Sequence, residues 1–130
     1  MQLLQWDKSY SINNEELDRH HVKLFSIFKM LHNICSKVDK LNSLNTVIDE
    51  LIVYSAYHFT VEEQYMKTVF YRDIDKHAAE HEYFRHKVIE IDDMAKFNKI
   101  EQCHVAIVFL NNWLLNHVME EDKKIIGTKN

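Results

Sequence analysis

His58-Phe59-Thr60-Val61-Glu62 sets an imidazole four residues ahead of a carboxylate, and on a helix residues four apart stand one above the other on the same face. Such a pair aims two metal-competent donors at one point. His77 and His81 repeat the spacing, His117 is followed five residues later by Asp122, and His21 stands alone upstream. Taken singly, the His58/Glu62 pair is more commonly a surface or capping interaction; what matters is whether all seven residues meet. Imidazole with carboxylate suits divalent iron, manganese or zinc, and the lack of cysteine among these residues argues against a structural zinc site or an iron-sulfur cluster. Seven protein ligands exceed the needs of one ion and suit two. If both ions are six-coordinate there are about a dozen positions, of which five imidazoles, two bridging carboxylates and one bridging oxygen leave about one open.

The chain that must position these groups has 130 residues, one glycine and no proline. That length favours a single domain with a single core, and the missing punctuation favours long helices. The composition, 46% hydrophobic and 28% charged, is ordinary for a globular protein, and no apolar run approaches the roughly 20 residues of a membrane span. A net charge of -4 without a basic block argues against nucleic acid as partner. There is no apolar signal core at the N-terminus, and Cys35 and Cys103 make no disulfide framework, so a cytoplasmic protein is expected. The nine histidines are the compositional outlier.

Residues 1–17 lack a helical period and read as an ordered arm carrying Trp6, Tyr10 and Ile12. Asp18 suits an N-cap, with Leu17 and Val22 as its hydrophobic staple, and Leu24, Phe25, Phe28, Leu31 and Ile34 give the first helix its apolar stripe, ending near Asp39. Asn42 and Ser43 open a second helix whose face holds Leu44, Val47, Ile48, Leu51, Tyr54, His58 and Phe59 and which runs to about Lys67. Thr68 to Ile74 reads as a connection, with Asp73 or Asp75 capping a third helix that carries His77, His81, Phe84, Val88 and Ile91 and fades around Ala95. Asn98 with Glu101 has the pattern of a capping box and begins a fourth helix, lined by Ile100, Ile107, Leu110, Trp113, Leu114 and His117. The fold expected is therefore all-α, an up-down-up-down antiparallel four-helix bundle over about 18–122 with an N-terminal arm and a polar C-terminal tail. In that topology His21, His58, Glu62, His77, His81 and His117 all fall at one end of the bundle.

Asp122 fits this scheme least well. Five residues is about 140° round an α-helix, so Asp122 requires a bend or a helix end, and Glu121, at the four-residue spacing, is the alternative. Glu63 reads as a solvated or outer acid. His32 is eleven residues from His21, about 16 Å along the axis, too far to share its ligand site; His20, His86 and His104 read as surface or boundary residues. Cys35 and Cys103 each lie fourteen residues from their helix's ligand, about 21 Å from the site at the far end of adjacent helices. They read as buried inert thiols, with near-neighbour placement the alternative.

The matching segments Trp6-Asp7-Lys8-Ser9-Tyr10-Ser11-Ile12, Leu17-Asp18-Arg19-His20-His21 with Leu24-Phe25, His58-Phe59-Thr60-Val61-Glu62-Glu63, His77-Ala78-Ala79-Glu80-His81 and Trp113-Leu114-Leu115-Asn116-His117 through Asp122 resemble the hemerythrins, in the single-domain bacteriohemerythrin form. Position by position, the resemblance implies one iron held by His77, His81 and His117, a second held by His21 and His58, and Glu62, Asp122 and an oxo or hydroxo group bridging both. It implies reversible dioxygen binding at the five-coordinate second iron, in a pocket walled by Leu24, Phe59, Trp113 and Leu114. His20 stands where the family more often has Gln; about 100° round the helix from His21, it is expected to leave ligation unchanged. The expected protein binds oxygen for storage, delivery or supply rather than acting as an enzyme, as a monomer without nucleic-acid or membrane partners, its protein partner unidentified. Two other functions compete. A di-iron oxidase or iron-storage protein on the same bundle needs a Glu-x-x-His motif on each of two helices, and this chain has only Glu101-x-x-His104. Sensing of oxygen, nitric oxide or iron would need a separate output protein.

Overall fold

The computed structural model describes residues 4–128, without the side chains of 126–128. Four α-helices carry the fold: α1 (Glu15–Cys35), α2 (Leu44–Thr68), α3 (Ile74–Ala95) and α4 (Lys99–Trp113), the last continued by a π-helical stretch, Leu114–Glu121, and a 3-10 stretch, Asp122–Thr128. Each helix packs on its neighbours in the cycle α1–α2–α3–α4–α1, the closed square of an antiparallel bundle. The expected stripes close the core. Leu24, Phe25, Phe28, Leu31 and Ile34 of α1 join Leu44, Val47, Ile48 and Leu51 of α2, Phe84, Val88 and Ile91 of α3, and Leu110 and Trp113 of α4 in one buried cluster.

Several boundaries differ from the expectation. α1 begins at Glu15, capped by Asn14, whose side chain accepts the Leu17 N–H. Asp18 lies inside the first turn and ties down the arm instead, accepting the Ile12 N–H at 2.9 Å and the Ser11 hydroxyl. Leu17 is buried but Val22 is 45% exposed, so no staple forms. α1 also stops at Cys35 rather than near Asp39, and a 3-10 turn, Val38–Ser43, leads into α2. In α4 the Asn98 cap is present, its Oδ1 accepting the Glu101 N–H, while Ile100 is exposed and Gln102, Cys103 and Ala106 take the inner face. This helix is apolar round most of its circumference, so its pattern could not say which arc turns inward.

The end of α2 has a chemical cause that the sequence hides. Phe70 adopts φ 55, Tyr71 N–H donates to Met66 O at 2.9 Å and Phe70 N–H donates to Lys67 O at 3.2 Å. This is the Schellman pattern, with Tyr71 packing back on Met66. Glycine normally occupies the left-handed position; here it is a phenylalanine, 87% exposed, in a region that costs a non-glycine residue about 1–2 kcal/mol. Part of that cost should be recoverable. Phe70→Gly is expected to raise unfolding stability by about 0.5–1 kcal/mol, after the extra freedom glycine gives the unfolded chain; a denaturant titration showing a loss of that size would contradict this account of the turn.

Candidate metal centre

The bundle brings the seven residues together at one end, and all are buried: His21, His81, Glu62 and Asp122 at 0%, His58 at 1%, His77 and His117 at 2% relative exposure. Their donor atoms fall into two overlapping groups, Glu62, His77, His81, His117 and Asp122 in one and His21, His58, Glu62 and Asp122 in the other, each spanning no more than 4.8 Å. The two carboxylates divide their oxygens between the groups. Glu62 Oε1 is 2.8 Å from His77 Nε2 and 3.0 Å from His81 Nε2, while its Oε2 is 3.4 Å from His58 Nε2 and 3.6 Å from His21 Nε2. Asp122 does the same, with Oδ1 2.9 Å from His77 Nε2 and 3.1 Å from His117 Nε2, and Oδ2 3.1 Å from His21 Nε2.

Each placement has a local cause. On α2, and again for His77 and His81 on α3, regular α winding stacks residues four apart. Asp122 needs another device, and the π-helical stretch is it: the Asp122 N–H bonds to the carbonyl of His117, an i to i+5 turn that sets residues five apart over one another. The alternative, Glu121, turns outward and pairs with Lys124 at 3.0 Å.

Buried polar groups ordinarily satisfy one another, yet among the described residues His21 Nδ1 and Nε2, Glu62 Oε2 and both Asp122 oxygens have no aligned hydrogen bond, although several lie within ion-pair distance. Their lone pairs converge on shared space instead of on each other. Orphaned oxygen and imidazole donors of this kind fit divalent iron, so the residues present suit a two-ion centre.

The electrostatics agree. Burial penalises the Glu62 charge, but His58, His117 and His21 outweigh it and hold that carboxyl well below its usual range. Burial and the neighbouring Glu62 charge likewise oppose ionisation of Asp122, and the His117 and His21 imidazoles overcome them, lowering it strongly. Burial alone would lower His21 and His77; the closely placed Asp122 and Glu62 carboxylates outweigh it and push both up to about 9. His117 rises for the same reasons, whereas for His58 burial prevails and lowers it. Two fixed negative charges in a dry site thus hold a positive charge opposite them, carried by protons or by metal.

Around the ligand atoms, three side chains address the far nitrogens of the imidazoles. Glu63 Oε2 lies 2.8 Å from His81 Nδ1, Glu80 Oε1 lies 3.2 Å from His117 Nδ1, and His20 Nδ1 lies 2.9 Å from His58 Nδ1. Glu63 is the outer acid expected. His20 corrects the expectation of a surface or boundary residue: it is 5% exposed, between Tyr54 and Tyr57, and lowered by burial. Its signal was available, since Leu17, His20, His21 and Leu24 follow the i, i+3, i+4, i+7 spacing of a buried face. His86 and His104 are exposed, and His32 packs against Phe28 away from the site.

Leu24, Phe59, Trp113 and Leu114 are all buried in the cluster beneath the site. The Phe59 ring stacks on His81 at 4.0 Å and the Trp113 ring on His117 at 4.1 Å. At the far end of the bundle, Cys35 and Cys103 form a disulfide with Cα atoms 5.6 Å apart, a correction to the expectation of inert thiols. It also removes cysteine usage as a reason for a cytoplasmic location. No helix among the described residues is long and apolar enough to cross a membrane.

Fold and site together define a four-helix bundle with two overlapping buried groups of imidazoles and carboxylates, each of which could hold a metal ion. Residues 13–128 match the model of the hemerythrin HHE cation binding domain. The chain belongs to the hemerythrin family, and membership implies a non-haem di-iron centre. It is 31% identical to a bacteriohemerythrin of Campylobacter jejuni over 124 residues, covering 92% of this chain and 90% of that one. It is 27% identical to a bacteriohemerythrin of Clostridium acetobutylicum over 129 residues, covering 93% and 97%, and 30% identical to a myohemerythrin of Theromyzon tessulatum over 123 residues, covering 95% and 91%. A crystal structure of wild-type hemerythrin superposes with a TM-score of 0.83 at 23% identity, covering 98% of each chain, and shares the fold.

Proposed function

We propose that the chain binds dioxygen reversibly at a non-haem di-iron centre, for storage, delivery or local supply. The observation that carries this reading is the divided carboxylate pair: Glu62 and Asp122 each offer one oxygen to the three-imidazole group and the other to the two-imidazole group. His77, His81 and His117 would hold one iron, His21 and His58 the other, and the two carboxylates would span them. With only His21 and His58 beside the shared carboxylates, the second ion would have room for a small neutral ligand. The iron pair supplies reversible electron transfer to oxygen. The chain's part is to hold the ligands in register, to keep water out with Leu24, Phe59, Trp113 and Leu114, and to balance charge with two buried carboxylates. Imidazole-rich ligation favours binding over oxygenation, which sets this reading ahead of oxidase or iron-storage chemistry.

The test is spectroscopic. Protein reduced anaerobically with iron should gain a visible absorption band when oxygen is admitted and lose it when oxygen is removed. A band that forms once and decays to ferric protein would favour the oxidase reading, and a chain that takes up no iron would sink both. In His58→Ala the iron of the two-imidazole side should be lost first and oxygen binding with it; unchanged iron content and oxygen binding would contradict the assignment.

A further inference from the structure

The imidazoles of the centre are not backed alike. On the three-imidazole side, His81 and His117 meet carboxylates, Glu63 and Glu80, at their Nδ1 atoms. On the two-imidazole side, His58 meets another imidazole, and His21 Nδ1 has no hydrogen-bond partner among the described residues. We propose that His20 is the positioning residue for His58, accepting its Nδ1–H, so that the oxygen-binding side of the centre has a neutral backing while the opposite side has an anionic one. The inference rests on the di-iron reading above.

The proton inventory fixes the direction of this hydrogen bond. A histidine that ligates through Nε2 keeps its only ring hydrogen on Nδ1. The two Nδ1 atoms are 2.9 Å apart, and one hydrogen fits between them. His58 is therefore the donor, and His20 accepts through Nδ1 and carries its own hydrogen on Nε2. His20 cannot turn freely, because the Tyr54 and Tyr57 rings lie 5.8 and 5.1 Å from it and its own ring crosses that of His58 at 82°. The consequence is electronic as well as geometric: an imidazole acceptor pulls less on the Nδ1 proton than a carboxylate does, so His58 is a weaker donor to its metal than His81 or His117.

Two variants and one direct observation test this on the full chain. Zinc-loaded, diamagnetic protein with labelled histidine should show a slowly exchanging His58 Nδ1 proton and a nitrogen–nitrogen coupling across the hydrogen bond to His20 Nδ1. Loss of that proton signal in zinc-loaded wild-type protein would overturn the proposal. In iron-loaded protein challenged with a ferrous chelator, His20→Leu, which cannot accept, should lose one of its two irons about 10–100-fold more readily than the parent. His20→Gln, which can accept through Oε1, should hold both, and if His20→Leu fails to fold, the Gln variant and the coupling still decide. A parent chain with two irons and a His20→Leu variant that releases them at the parent rate would overturn the positioning role alone; a parent that binds no iron would overturn the di-iron reading with it.

Discussion

Glu62→Gln should abolish paired metal binding, taking iron content after anaerobic reconstitution from two per chain towards none. The substitution keeps volume and hydrogen-bonding size but replaces two anionic acceptor oxygens by one neutral oxygen and an NH2 group. That NH2 would face either the three-imidazole or the two-imidazole group, and with Glu62 fully buried no water can take its place. Removing an outer partner of a metal ligand typically costs 10–100-fold in affinity; removing a carboxylate that serves both ions should cost more than 100-fold. Stability of the metal-free chain should change much less. Breaking a buried ion pair costs about 3–5 kcal/mol when the surviving charge is trapped, but here the survivors are imidazoles, which can release their protons. Iron analysis beside thermal melts separates the two effects, and a Glu62→Gln protein that binds two irons at the parent's affinity would refute the bridging role. Glu63→Gln, altering a carboxylate that meets the far nitrogen of His81 and the Arg85 guanidinium rather than the converging donor atoms, should retain both ions.

Loss of the Cys35–Cys103 disulfide should give the largest change in stability, without touching the centre. The bridge joins the end of α1 to the start of α4 across a sequence separation of 68 residues. Closing a loop of that size removes roughly 4 kcal/mol of freedom from the unfolded chain. For a domain of this size that corresponds to a fall in Tm of roughly 10–20 °C in the Cys35→Ser/Cys103→Ser variant or in reduced protein. The bridge lies about 21 Å from the ligands along either helix, so iron content at room temperature should be unchanged. A Tm within a few degrees of the parent would show that the unfolded chain is not constrained by this link.

These features differ in how far the amino-acid sequence announced them. The helices of the bundle and the convergence of His21, His58, Glu62, His77, His81 and His117 were legible because apolar spacing and antiparallel topology place them by period and rise alone. The chain ends of helices were less so: Phe70 stops α2 in a conformation for which glycine is the usual signal, and Asp18, a good cap by type, serves the arm from within the helix. The placement of Cys35 and Cys103 at equal depth followed from counting, but whether their side chains face each other depends on helix rotation, which counting does not fix. Helix rotation also decides His20: an angle of about 100° from His21 still falls within the buried arc where α1 is wedged between α2 and α4.

Asp122 was the least secure of the seven, and the winding of the helix is what secures it. Were Leu114–Glu121 regular α-helix, Asp122 would stand about 140° from His117 and one of the two spanning carboxylates would point away from the pair. In the proposed centre, the pitch of a single turn is therefore part of the binding constant. Wider winding and cation occupancy are linked equilibria, each favouring the other by the same factor, and residues such as Leu115 and Asn116, which point away from the ligands, still bear on affinity through the helix geometry they prefer.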